Sequence, residues 1–94
     1  MSDIQVLMTP TFRKSLKKMH KNQQNEVKKE IKKIVDDPEI GEEKKGDLSR
    51  IFVHKFKIDQ QLTLLAYQFD PETRILLMLG SHQNFYKNLK RVVN

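Results

Sequence analysis

The hydrophobic period of this 94-residue chain changes at Leu48, from about 3.6 to 2. Upstream, Phe12, Leu16 and Met19 fall at i, i+4 and i+7, and Val27, Ile31, Ile34 and Val35 repeat the stripe, the pattern of two helices that each bury one face. Downstream, Phe52, His54, Phe56 and Ile58 share one face of a strand while Ile51, Val53, Lys55 and Lys57 share the other. Residues 62–69 and 74–79 continue as strands, with Asp59-Gln60 and Asp70-Pro71-Glu72-Thr73 as the turns. Because the segment 74–79 is apolar on both faces, it is expected to be central or covered on both sides. Helices grouped ahead of a meander predict an α+β fold and exclude a parallel doubly wound sheet.

The ends complete the order. Residues 4–8 alternate Ile4, Val6 and Met8 against Gln5 and Leu7, which predicts a first strand. Thr9 or Thr11 then caps a helix that takes Pro10 in its first turn, where a missing N–H costs nothing. The polar residues 22–25 read as the break between the two helices, and Asp36-Asp37-Pro38 stops the second. Gly80 and Ser81 end the last strand, Ser81 is the expected cap, and Phe85, Leu89 and Val92 mark a closing helix. The expected order is β-α-α-β-β-β-α: an N-terminal strand and helical hairpin packed on an antiparallel sheet, with a C-terminal helix, in one domain spanning 1–94.

Composition narrows the function classes. The chain has 18 Lys+Arg against 12 Asp+Glu, a net charge of +6, which suits an anionic partner. With no cysteine there is no disulfide framework and no thiolate metal site, and three scattered histidines do not make a zinc site. The longest apolar run, 75–79, is far short of the roughly 20 residues a membrane span needs. Met1-Ser2-Asp3 lacks the basic start of a signal peptide, so a soluble cytoplasmic protein is expected. The charge is uneven. Residues 1–33 hold nine bases and three acids, 34–47 two bases and six acids, and 48–94 seven bases and three acids. The acidic segment 34–47 reads as a loop.

The usual short catalytic motifs are silent: there is no phosphate-cradling glycine loop, no paired-carboxylate motif and no His-Glu-x-x-His. The remaining chemistry gathers in the C-terminal half. His82, at the expected start of the closing helix, would be kept neutral by the helix dipole and could accept a proton. Tyr86, one turn on, would lie beside it; the alternative is that His82 caps the helix and Tyr86 packs on Leu89. Lys55 and Lys57 project together at a spacing suited to adjacent phosphates of one strand, or form an ordinary wet sheet face. His54 has the parity of Phe52 and Phe56 and reads as a hydrogen-bonded, half-buried histidine. Arg74 and Arg91 flank His82 as phosphate clamps or exposed charges, and His20 reads as a surface residue.

The string Leu79-Gly80-Ser81-His82-Gln83-Asn84-Phe85-Tyr86-Lys87-Asn88-Leu89-Lys90-Arg91 resembles the C-terminal end of the RelE/ParE superfamily of bacterial type II toxins. Gly46-Asp47-Leu48-Ser49-Arg50-Ile51-Phe52-Val53-His54-Lys55-Phe56-Lys57 and Leu64-Leu65-Ala66-Tyr67 look like that superfamily's second and third strands, and the element order matches its fold. The resemblance covers nearly the whole chain through degenerate motifs. Gly80-Ser81-His82 followed by Phe85 is similar to the end of the YafQ type, which implies a catalytic role for His82. Tyr86, Lys55 and Lys57 look like the tyrosine and strand lysines of the RelE type, and His54 and Asp59 loosely match a His and an Asp of the YafQ type. The departure is that no arginine stands between Asp59 and Tyr67, where RelE places one against the scissile phosphate. Arg50, Lys55, Lys57, Arg74 or Arg91 would then have to meet the transition-state charge.

The resemblance implies a toxin that, if RelE-like, cuts mRNA on translating ribosomes without a metal or other cofactor, through His82, Tyr86, Lys55 and Lys57. Arg50, His54, Arg74, Lys90 and Arg91 are the residues expected to bind the RNA. If ParE-like, it would instead inhibit DNA gyrase without catalytic groups. Either branch implies a cognate antitoxin as partner and no membrane.

Overall fold

The computed structural model describes residues 3–48 and 50–93. Met1, Ser2 and Ser49, which enter the signal-peptide and motif readings above, and Asn94, the last residue of the expected domain, lie outside them. The order is β1 (Gln5–Met8), α1 (Pro10–Lys17), α2 (Lys21–Asp36), β2 (Glu42–Glu43), β3 (Phe52–Ile58), β4 (Gln61–Phe69), β5 (Thr73–Ser81) and α3 (Phe85–Val93). The five strands form one sheet in the order β1-β5-β4-β3-β2. β2 to β5 pair antiparallel. β1 pairs parallel with β5, Gln5 opposite Thr73 through Met8 opposite Leu76, so the sheet is mixed.

Each face of the sheet carries its own core. On one face Phe12, Val27, Ile31 and Ile34 of the helical hairpin pack on Ile58, Leu65, Tyr67, Leu76 and Leu79. On the other, Phe85 and Leu89 of α3 pack on Val53, Leu64, Ala66, Leu77 and Met78, with Leu48 and Ile51 closing the side. β4 and β5 are thus buried on both faces, which is why they read as near-continuous apolar runs. The β4–β5 register shifts after Ala66: Ala66 faces Met78 but Tyr67 faces Leu76, so Leu77 is extra. This bulge sends both Leu77 and Met78 toward α3.

Thr9 ties the bulge to the hairpin. Its Oγ1 accepts from the Phe12 N–H (3.0 Å) as the α1 cap and donates to the Leu77 carbonyl (2.6 Å). Its own N–H reaches the Leu76 carbonyl at 3.0 Å. Pro10 occupies the first turn as expected.

Four expectations need correction. The polar tract 22–25 is not the break between helices, since α2 begins at Lys21. The break is at residues 18–20, and the tract closes it: Gln23 Oε1 accepts from the His20 N–H (3.2 Å) and Gln24 Nε2 donates to the Met19 carbonyl (2.9 Å). The acidic segment is not all loop, because Glu42 and Glu43 pair with Val53 and Phe52 as an edge strand. Ser81 is the last residue of β5, so it does not cap the helix. Finally, α3 starts at Phe85, three residues beyond His82.

Candidate nucleic-acid interface

The alternation of β3 divides its polar residues between two environments. His54 points with Phe52 and Phe56 toward the hairpin, where its Nε2 meets Glu30 Oε1 at 2.7 Å and its ring stacks on Phe56 at 5.4 Å. The side chain is only 15% exposed. Glu30 also takes the Lys33 ammonium at 2.9 Å. Burial pushes the Glu30 carboxyl up, but the hydrogen bonds from His54 and Lys33 and their charges together hold it below the usual value. His54 is therefore the hydrogen-bonded, half-buried residue that its parity suggests, aimed away from the open face.

Lys55 and Lys57 share the parity of Val53 and emerge, exposed, on the α3 side. Their cross-strand partners are Leu64 and Leu62. Leu64 is covered by α3, whereas Leu62 is 39% exposed, so the sheet is bare at the hairpin end. Across β5, Leu64 faces Gly80, and Thr63 faces Ser81. His82 follows one residue past that last pair. It is exposed, and among the described residues its side chain makes no hydrogen bond, ion pair or ring contact. Because α3 begins only at Phe85, the helix-dipole argument for a neutral imidazole does not hold at His82.

Tyr86 lies elsewhere on this face. It is half-buried against the α3 core and meets Phe85 edge-on at 5.5 Å. Over its ring, 5.0 Å from the centroid, sits the ammonium of Lys44. That ammonium donates to Glu42 Oε1 at 2.6 Å. The Lys44 hydrogen bond and charge, and the nearby Lys55 charge, pull the Glu42 carboxyl down. In turn the bond to Glu42 raises Lys44, against the effect of burial and with help from Tyr86. β2 thus brings a Lys44–Glu42 pair between Tyr86 and Lys55. The expected His82–Tyr86 pair does not form: Tyr86 meets the ammonium of Lys44, which in turn holds Glu42, and His82 follows the end of β5 with no side-chain partner among the described residues. Sequence spacing missed Lys44 because it lies in a stretch with no periodicity.

Arg74 is withdrawn from the open surface. It is 5% exposed, and its guanidinium donates to four carbonyls: Ile34 (3.3 Å) and Val35 (3.1 Å) in the last turn of α2, and Asp70 (2.7 Å) and Thr73 (3.1 Å) at the β4–β5 turn. It satisfies helix-end carbonyls that would otherwise be orphaned, so it is a structural clamp, with four of its five N–H donors committed to main-chain carbonyls. Arg50, Lys90 and Arg91 are exposed. Arg50 adopts a left-handed φ of 68° in the turn before β3. Among the described residues no group of three His, Cys, Asp or Glu could hold a metal ion, and no helix is long and apolar enough to cross a membrane.

A two-faced mixed sheet, a basic helical hairpin and a short C-terminal helix over lysine-bearing strands define a small α+β protein with exposed lysines on both layers. The model of the ParE-like toxin of type II bacterial toxin-antitoxin systems matches residues 6–90, and the chain belongs to that family. Its fold is similar to the RelBE2 toxin-antitoxin complex of Mycobacterium tuberculosis (TM-score 0.72, 19% identity, 85% of this chain and 99% of that one). It is also similar to a substituted Escherichia coli RelE in the free state (TM-score 0.70, 15% identity, 98% and 94%). A conserved hypothetical protein of Helicobacter pylori shares 27% identity at TM-score 0.57, over 84% of this chain and 94% of that one. Among curated proteins none matches the chain.

Proposed function

We propose that this toxin is a metal-independent endoribonuclease that cuts mRNA on translating ribosomes, with the outer face of β3 and β4 as its RNA-binding surface. The observation that carries the reading is the exposed Lys55 and Lys57 on the α3 side of the sheet together with Tyr86, and the exposed His82 just past the end of β5. In the reaction the ribose 2′-oxygen loses its proton to a base and bonds to the adjacent phosphorus. The P–O5′ bond breaks, its electron pair stays on O5′, and an acid protonates that oxygen. His82, exposed and with its ring nitrogens uncommitted among the described residues, takes one of the two proton transfers. Lys55 and Lys57 stabilise the charge that builds on the phosphoryl oxygens, Tyr86 orients a base, and Arg50, Lys90 and Arg91 add electrostatic attraction for the strand. The substrate is read as single-stranded RNA because bases splayed from a strand are what aromatic and basic side chains can grip.

The cytoplasm is the compartment this function requires. The partner is a cognate antitoxin, as in the toxin-antitoxin complex of the M. tuberculosis neighbour.

Mapping transcript 5′ ends after induction tests the reading. Induction should arrest growth and create new ends, and Lys55→Met with Lys57→Met should lower cleavage by about 10²–10⁴-fold. His82→Ala with full cleavage would remove His82 from the mechanism.

A second reading, inhibition of DNA gyrase by binding alone, is favoured by one observation. The arginines that could replace the missing strand arginine are reduced by the burial of Arg74. Inhibition of purified gyrase that survives His82→Ala and Tyr86→Ala would support it, and no inhibition at excess protein would eliminate it.

A further inference from the structure

The edge strand β2 delivers a cation to the outer face. The Lys44 N–H donates to the Ile51 carbonyl at 2.8 Å, which ties its main chain to the entrance of β3. From there the side chain lies against Tyr86, its ammonium 5.0 Å from the ring centroid and 2.6 Å from Glu42 Oε1. The two members of the pair differ in exposure: the Lys44 side chain is 18% exposed and the Glu42 side chain 68%. The ammonium is therefore packed on the protein while its counter-ion stands in water, where a carboxylate is held weakly. Glu42 also faces Lys55 electrostatically, so one carboxylate serves two lysines. A phosphodiester carries the same charge and offers two unesterified oxygens, and an ammonium is a compact point charge suited to either.

We propose that Lys44 is a catalytic residue of this toxin, binding the phosphate at which RNA is cut, with Glu42 as the resting counter-ion that the phosphate displaces. The inference rests on the ribonuclease reading and supplies the cation that β4 lacks. As the O2′–P bond forms and the P–O5′ bond breaks, negative charge grows on the unesterified oxygens, and an ammonium packed over the Tyr86 ring, on a main chain tied to the Ile51 carbonyl, is already in place to meet it. It exchanges no proton in the step. The 2′-hydroxyl proton goes to the base and O5′ receives one from the acid, as above. Glu42 keeps the site neutralised until an anion with a closer fit arrives.

Four variants separate this role from packing: Lys44→Met, which keeps the stem over Tyr86 and removes the charge; Lys44→Arg; Glu42→Gln; and Lys45→Met as a neighbouring control. Two measurements are made on each. One is mRNA cleavage in a translating extract; the other is binding of a 2′-O-methyl oligoribonucleotide, which cannot be cut, as a function of KCl. Lys44→Met should cut about 10²–10³-fold more slowly and lose about 0.7 from the log K against log salt slope, the share of one phosphate contact on a single strand. Lys44→Arg should recover most of both, Glu42→Gln should bind more tightly at low salt, and Lys45→Met should keep wild-type cleavage. Lys44→Met with wild-type cleavage overturns the proposal while the ribonuclease reading stands. If the wild-type protein cuts nothing, the ribonuclease reading falls and with it the catalytic role. The salt slope then decides the phosphate site, which stands if Lys44→Met is shallower and falls if it is not.

Discussion

Tyr67 shows how one hydroxyl holds the acidic segment to the sheet. Its side chain is buried in the hairpin-side core, and its Oη donates to the Pro38 carbonyl at 2.6 Å and accepts from the Gly41 N–H at 3.0 Å. Burial pushes the phenol up, so it stays protonated and keeps both bonds. Tyr67→Phe leaves that carbonyl and N–H without their partner and is expected to cost about 1–3 kcal/mol in urea unfolding. Gly41 is held to glycine by the same contact, since a Cβ there would come within 2.7 Å of the Tyr67 oxygen. Glu30 makes a pH-dependent contribution. Its carboxyl is held below the ordinary 4.5 in the folded chain, so the stability gained from ionising it is present above that value and lost as pH falls through the lowered one. Glu30→Gln should therefore flatten the acid side of the stability profile, read from unfolding midpoints between pH 7 and pH 3. An acid limb identical to wild type would show that the Glu30–His54 contact adds no linked stability.

Among the elements, the β3–β4 hairpin turns on two residues with left-handed backbone, Asp59 at φ 50° and Gln60 at φ 69°. Such a two-residue turn matches the strand twist but taxes a residue with a Cβ. Gln60→Gly, which relieves the left-handed strain, should stabilise the protein by about 0.5–1 kcal/mol in thermal or urea melts, and an unchanged or lowered midpoint would show that the added flexibility of the unfolded chain outweighs it. Asp59 is already engaged, accepting from Gln23 Nε2 at 3.2 Å. The long elements were legible because their burial has a period: Phe12, Val27, Ile31 and Ile34 all face one core, and Arg74 aside, the apolar run of β5 does mark a strand covered on both faces. What escaped has no period. β2 is two glutamates, both exposed, and exists only because Val53 and Phe52 offer an edge. The tract 22–25 is polar because a first helical turn must satisfy its own ends, which in composition looks the same as a loop. The site suffered for the same reason. Lysine parity put Lys55 and Lys57 on one face, but whether a residue such as Arg74 points at solvent or at helix-end carbonyls depends on packing that spacing does not encode.

At the scale of the whole molecule, the charge is arranged by layer. The hairpin helices carry exposed lysines away from the sheet, among them Lys14, Lys17, Lys28, Lys29 and Lys32, while the opposite layer presents Lys55, Lys57, Lys87 and Arg91 around a short helix. Between them the sheet is closed by its most distant segments, β1 against β5. Thr9 and Leu77, joined by a hydroxyl bond, are 68 residues apart. Loop closure over that length is unfavourable and slow beside the local hairpins β3–β4 and β4–β5. Thr9→Ala removes the α1 cap and the bond at the bulge, at a cost of about 1–2 kcal/mol. In a chevron experiment that cost should fall almost wholly on the unfolding rate, because the contact is made after the transition state. A matching loss in the folding rate would place it in the nucleus instead. On a ribosome that makes the chain from its N-terminus, β1 emerges first and its partner strand only after residue 72. Val6 and Leu7, still partly exposed in the finished sheet, wait for Arg74 and Ile75 as neighbours. The parallel seam therefore sets an order in time: β1 stays without its sheet partner until Thr73–Ser81 have followed it out of the ribosome.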